Sequence, residues 1–214
     1  MIVAFAGQKG GSGKTSTALA VASEWQRRGR EVLVVDTDPQ GSARTWGSVA
    51  GEHGVKAPTV IAMGAGLHQE GQLPKLARNF DVVVVDCPPR HDELQRSVFV
   101  VADMVVLPCG PSAVDVWALT ESIDLVKKAQ SLRPELLGFV LITRKAPRTV
   151  IGEGARTALG ECGLPVFKTE LGYRITYQEA PAAGMGPTTY DAKGAAAKEV
   201  RALVAEIERE LKRG

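Results

Sequence analysis

Gly7-Gln8-Lys9-Gly10-Gly11-Ser12-Gly13-Lys14-Thr15 follows directly on the apolar run Ile2-Val3-Ala4-Phe5-Ala6. The order reads as a strand, a glycine-rich turn and a helix that opens at Lys14-Thr15. Glycines at 10, 11 and 13 let backbone N–H groups crowd together, because no Cβ blocks the approach. Those donors and the positive end of the next helix make a cradle for phosphate. Lys14 is then spaced to reach the β- and γ-phosphates, and the Thr15 hydroxyl to complete a Mg²⁺ shell. The usual phosphate-loop pattern asks for glycine at position 8, where this chain has Gln8. A second lysine, Lys9, precedes the glycines instead. The expectation is a nucleoside triphosphate site built from Lys9, Gly10, Gly11, Ser12, Gly13, Lys14, Thr15 and Ser16.

Outward from this loop the chain alternates. A helix is expected over 14–28, carrying Leu19, Ala22 and Trp25 on one face and stopping at Gly29. Val32–Val35 is a β-branched run that breaks into Asp36-Thr37-Asp38-Pro39-Gln40, and Val82–Val85 breaks into Asp86-Cys87-Pro88-Pro89. Continuous apolar strands of this kind suit a sheet covered on both faces. Further helices are expected over 42–49, 67–79 (with Pro74 against a long unbroken one), 92–101, 112–132 and 149–162. Strands are expected at 104–107, 137–143 and 166–167. Regular β/α alternation with short connections predicts one α/β domain over residues 1–214, a doubly wound, mainly parallel sheet with helices on both faces.

In such sheets ligands bind at the carboxyl ends of the strands. Asp86, after four valines, fits the carboxylate that supports Mg²⁺. Asp36 and Asp38 would point to opposite faces if the strand continued, so they cannot share one task. Asp36 is assigned to the outer shell of the metal and Asp38 to positioning an attacking water.

Composition narrows the alternatives. The net charge of +2 leaves any nucleic-acid contact to a local patch. Three widely spaced cysteines, Cys87, Cys109 and Cys162, form neither a zinc pattern nor a disulfide framework, and suit a reducing cytoplasm. The strand beginning at Ile2 leaves no room for a signal peptide, and no apolar run approaches the ~20 residues that span a membrane.

Lys9–Thr15 (KGGSGKT), Asp36–Gln40 (DTDPQ) and Val82–Pro89 (VVVVDCPP) together resemble the ParA family of partition ATPases with the deviant Walker A motif, a group that also includes the MinD-type ATPases. The likeness extends through Pro108–Trp117, Leu141–Lys145, Arg174–Ala180 and Tyr190–Ala195, nearly the whole chain, with no N-terminal helix-turn-helix extension. It implies a P-loop ATPase using ATP and Mg²⁺, in which two ATP-bound copies form a sandwich dimer. Lys9 would cross to the partner's phosphates, so that Lys9, Lys14 and Asp38 form the catalytic set. Pro187, Tyr190 and Asp191 would flank the adenine, and Thr143-Arg144 and Pro108–Pro111 would lie near the nucleotide or the dimer interface.

The resemblance also implies non-specific DNA binding by the dimer, release on hydrolysis stimulated by a ParB-like or adaptor protein, and a cytoplasmic, nucleoid-associated location. Between Arg144 and Arg174 six cations face three carboxylates, an excess larger than that of the whole chain. Arg174, Lys168 and Arg148 are the DNA-contact candidates. The alternative, a MinD-like membrane-associated ATPase, depends on the last helix. Val200, Leu203, Val204, Ile207 and Leu211 make one apolar face there, but the opposite face is charge-balanced and no aromatic accompanies it. Packing on the sheet is expected, and no membrane partner. A nitrogenase-reductase relative would need cysteines near the dimer axis, and a ligase an acceptor pocket; neither is legible.

Overall fold

The computed structural model describes residues 1–147 and 150–213, without the side chains of residues 150–153 and 155. The chain runs β1 (Ile2–Phe5), α1 (Lys14–Arg27), β2 (Val32–Asp36), α2 (Ser42–Glu52), β3 (Thr59–Ala62), a 3-10 turn (Ala65–His68), α3 (Leu73–Ala77) and β4 (Val82–Asp86). It continues through α4 (Asp92–Val101), β5 (Met104–Cys109), α5 (Ala113–Leu132), β6 (Leu137–Ile142), α6 (Val150–Gly160), α7 (Thr176–Ala182), α8 (Pro187–Tyr190) and α9 (Ala195–Leu211).

Among the described residues the strands form one parallel sheet in the order β3-β2-β4-β1-β5-β6. Alternate side chains of each strand enter opposite cores. Val3, Phe5, Val34 and Val84 pack with Leu19, Ala22 and Trp25 of α1 and Leu203, Val204 and Ile207 of α9. Ala4, Val35, Val83 and Val85 pack with Leu94, Val98 and Phe99 of α4 and Ile123 and Val126 of α5. All five residues of β4 are buried, which is why no polar alternation marks it. The doubly wound reading holds. β1 is flanked by β4 and β5, so the glycine loop leaves the sheet where the strand order reverses, the position at which such folds bind ligands.

Several boundaries differ from expectation for identifiable reasons. Residues 67–79 are not one helix: Pro74 sits in the first turn of α3, where its missing N–H costs nothing, and a 3-10 turn precedes it. Val166 makes only an isolated bridge to Val140, and Phe167 contributes by stacking on Phe139 at 4.6 Å between ring centroids. The helix expected over 149–162 is seen from Val150 to Gly160. Arg148 and Thr149 lie outside the described residues.

The apolar stripe of α9 is spent on the core, with Val200, Leu203, Val204 and Ile207 fully buried. That removes the surface a membrane-docked helix would need. Among the described residues no helix is long and apolar enough to cross a membrane.

Candidate nucleotide site

The loop between β1 and α1 takes the shape its glycines predict. Gly11 (φ 74°) and Gly13 (φ 95°) are left-handed, a conformation that a side chain would strain. A cavity of about 390 Å³ opens over it, lined on one side by Gly10, Gly11, Gly13, Lys14, Thr15, Ser16 and Asp38. Two bonds from residues just after β6, which also line the cavity, hold the loop. Thr143 Oγ1 donates to the Ser12 carbonyl and Arg144 Nη1 to the Gly11 carbonyl, both at 2.8 Å.

The two lysines have different surroundings. Lys14 is buried and its Nζ donates to the Lys9 carbonyl at 2.9 Å. Burial lowers its pKa, opposed by the fields of Asp86, Cys87 and Asp38. Lys9 points away from the cavity, and its Nζ lies 2.5 Å from Asp115 Oδ1 on α5. Asp115 also closes a capping box with Ser112, the helix-start pattern S-x-x-D, in which Ser112 Oγ accepts from Asp115 N at 3.2 Å. That pattern was legible in the sequence as a cap; that the same carboxylate meets Lys9 was not. Ser12 is buried on the Lys9 side of the loop, and its hydroxyl has no partner among the described residues.

The carboxylates gather as the topology requires. Asp36 and Asp86 stand side by side in register at the ends of β2 and β4. Asp36 accepts from Asp38 N and from Arg44 N, both at 3.0 Å. It thereby anchors the turn that carries Asp38 and the first turn of α2. Asp38, half-buried, accepts from Gln40 N at 2.9 Å and faces the cavity. Asp86 is fully buried, and neither carboxylate oxygen has a hydrogen-bond partner among the described residues.

Burial pushes the Asp86 carboxyl up to about 7, helped by Asp36 and Asp38 and opposed by the nearby Thr15 hydroxyl and Lys14. A buried, unpartnered carboxylate beside a threonine at the start of a phosphate-loop helix is the donor set a Mg²⁺ ion fits. Thr15 and Asp86 would hold it, with Asp36 behind.

A consequence for stability follows without any ligand. The folded carboxyl binds a proton up to about pH 7, whereas the unfolded one releases it near the ordinary value of 3.8. Between these values folding takes up a proton, so raising the pH removes stability. Asp86→Asn is therefore expected to gain thermal stability over the natural protein as pH rises from 4 to 8 (the window of that shift), measured without metal or nucleotide. Parallel melting curves across that window would refute it.

The base-side assignments need correction. Pro187, Tyr190 and Asp191 are absent from the cavity wall. Pro187 is buried where α8 packs between α1 and α9, and the preceding Gly186 lies against Ser23, two turns along α1 from Thr15. Asp191 Oδ1 instead accepts from Gly194 N at 3.1 Å at the start of α9. The wall facing the glycine loop is Leu171, Gly172, Tyr173, Arg174, Tyr177 and Gln178. Tyr173 was missed because its stretch is irregular, and Tyr177 because α7 is too short to show a periodicity.

The basic segment is also less free than its count suggests. Lys145 and Arg156 both pair with Glu170, at 2.5 and 2.7 Å, and Arg174 pairs with Glu199 at 2.6 Å. Glu199 was outside the charge count, and its pairing with Arg174 leaves less unbalanced positive charge there than the count suggests. Lys168 is exposed.

Residues 3–188 match the CobQ/CobB/MinD/ParA nucleotide binding domain. The chain is 32% identical over 212 residues to maintenance of carboxysome distribution protein A of Halothiobacillus neapolitanus, covering 96% of this chain and 95% of that protein. It is 28% identical to the chromosome-partitioning ATPase Soj of Thermus thermophilus, over 96% of this chain and 94% of the other. The fold superimposes on an ATP complex of McdA from Cyanothece, an aspartate-to-alanine variant, with a TM-score of 0.79 and 16% identity over 97% of this chain and 96% of the other. The chain therefore belongs to the CobQ/CobB/MinD/ParA nucleotide-binding family, among the ParA/MinD-like positioning ATPases.

Proposed function

We propose that this chain hydrolyses ATP to switch between a free form and a DNA-bound sandwich dimer, and so positions or segregates a cargo. The observation that carries the reading is the divergence of the two lysines across one glycine loop. Lys14 is buried at the phosphate cradle, whereas Lys9 lies on an outward face with Val114 and Trp117, which are 58% and 71% exposed. Large apolar side chains left in solvent beside a functional cation suit a protein interface. A lysine delivered to a second copy would stabilise phosphoryl-transfer charge only after assembly.

In this reading Gly10–Ser16 and Lys14 bind the triphosphate and Tyr173, Tyr177 and Gln178 border the base. Asp38 orients the attacking water. Bound Mg²⁺, on Thr15 and Asp86, neutralises the triphosphate charge. Lys9 must leave Asp115 to cross, so Asp115 holds it in the separated form. The relatives in carboxysome distribution and chromosome partitioning support a positioning role, with an adaptor or ParB-like partner stimulating hydrolysis at the nucleoid. Lys168 is the described residue proposed to meet DNA phosphates, with Arg148 beside it in sequence.

DNA co-sedimentation and light scattering with ADP, ATP and a slowly hydrolysed ATP analogue test this. The natural protein is expected to dimerise and pellet with DNA only with triphosphate, and to release as salt rises. Lys9→Ala is expected to bind nucleotide but stay monomeric and off DNA. DNA binding that ignores the nucleotide, or a dimer that never binds DNA, would overturn the DNA-switch reading.

A further inference from the structure

The wall that faces the glycine loop is an irregular stretch, Leu171 to Arg174, followed by the first turn of α7. Its entry is paired with the segment after β6, where Lys145 N donates to the Leu171 carbonyl at 3.1 Å and Tyr173 N to the Lys145 carbonyl at 3.0 Å. Beyond that point one carboxylate gathers it. Glu199 Oε2 accepts from Gly172 N and from the Tyr177 hydroxyl, each at 3.1 Å. Glu199 Oε1 accepts from Arg174 Nε at 2.8 Å and lies 2.6 Å from Arg174 Nη2. Three wall positions spanning six residues thus converge on a single side chain, 17% exposed, from a helix far along the chain.

Its mounting is rigid. Val200 and Leu203, beside it on α9, are fully buried, Leu203 in the core between α1 and the sheet. Two helical turns further on, Glu206 reaches the same segment and accepts from Lys168 N at 2.8 Å and Thr169 N at 2.9 Å. Those two residues do not line the cavity, whereas Gly172, Arg174 and Tyr177 do. The two carboxylates therefore divide the work: Glu206 fixes the approach of the segment, and Glu199 fixes the part that faces ligand.

We infer that Glu199 is a positioning residue that sets the base-side wall of the nucleotide pocket, so that α9 governs the grip on the base and leaves the grip on the triphosphate to the glycine loop. This rests on the nucleotide reading above. The Glu199 carboxylate never touches ligand; it acts through Tyr177 and Arg174. Burial, and then the Glu199 charge, hold the Tyr177 hydroxyl well above its ordinary pKa, which keeps it a neutral donor to Glu199.

The test is calorimetric titration of the full chain with Mg·ATP and with Mg·tripolyphosphate, which has the phosphates and no base. Four proteins are compared: the natural chain, Glu199→Ala, Glu199→Gln and Glu206→Gln. Glu199→Ala is expected to weaken ATP by about 10- to 100-fold, the scale of losing charge-assisted hydrogen bonds. Its tripolyphosphate affinity should stay within about twofold, because the donors of the glycine loop are untouched. Glu199→Gln keeps acceptors for Gly172 N and the Tyr177 hydroxyl but loses the charge facing Arg174, so it should fall between. Glu206→Gln should lower the melting temperature and leave both affinities in place.

Undiminished ATP affinity in Glu199→Ala would overturn the inference, and so would parallel loss of ATP and tripolyphosphate. If the alanine variant does not fold, the glutamine variant decides by the same two ratios. A natural chain that binds neither ligand would defeat the nucleotide reading itself, and this inference with it. One that binds tripolyphosphate as tightly as ATP would keep the phosphate site and remove the base wall.

Discussion

Lys14→Ala is expected to lose nucleotide affinity by about 100-fold or more, the range for deleting one partner of a desolvated ionic contact. Two features make this site more sensitive than a surface lysine. The side chain is 6% exposed, so its charge is screened little by water. It also lies within the fields of Asp86 and Asp38, so the cation balances the carboxylates nearest the glycine loop. A triphosphate entering the variant would meet those carboxylates with no fixed positive side chain between them. The measurement is the thermal shift produced by Mg·ATP, with calorimetry for the constant. The expected result is a folded variant whose melting temperature no longer responds to nucleotide. A variant that still binds ATP within a few-fold of the natural protein would move the phosphate site away from this loop.

Asp38→Ala is expected to do the opposite: keep ATP and stop its hydrolysis, by about 10²- to 10⁴-fold, the range for a positioned general-base group. The carboxylate faces the cavity from a turn fixed at both sides, by Asp36 on its own N–H and by Gln40 N on its oxygen. It makes no contribution to the glycine cradle, so affinity should survive its loss. Single-turnover phosphate release reads the chemistry, and light scattering reads the dimer, which should persist with ATP bound. Ordinary turnover would reassign the water to another group of the pocket.

What could be read from the sequence follows the range of the interactions involved. The glycine loop, the valine strands and their terminal aspartates were legible because each is decided within a few residues. Left-handed glycines, buried β-branched runs and a lysine after the turn need no distant partner to be recognised. The same is true of α9, whose stripe at 200, 203, 204 and 207 predicted burial and is buried.

Failures arose where a distant residue decides. Arg174 looked like free charge because its carboxylate, Glu199, comes 25 residues later. Pro187–Asp191 looked like a ligand loop, yet the close approach of Gly186 to Ser23 seats it on the flank of α1. Lys9 was read as crossing to a second copy, and Asp115, 106 residues later at the start of α5, was not foreseen as its partner. Pro74 was read correctly as a break but not as a beginning.

The bonds from Thr143 and Arg144 to the glycine loop have a geometric corollary. In a trans peptide the carbonyl and the following N–H lie on opposite edges of one plane. Holding the Gly11 and Ser12 oxygens toward the end of β6 therefore turns the Ser12 and Gly13 amides the other way. The segment after an edge strand, remote in sequence from the loop, thus fixes the orientation of two of its peptide planes. The ordering is completed when the chain folds, so this part of the loop is already fixed before any phosphate arrives.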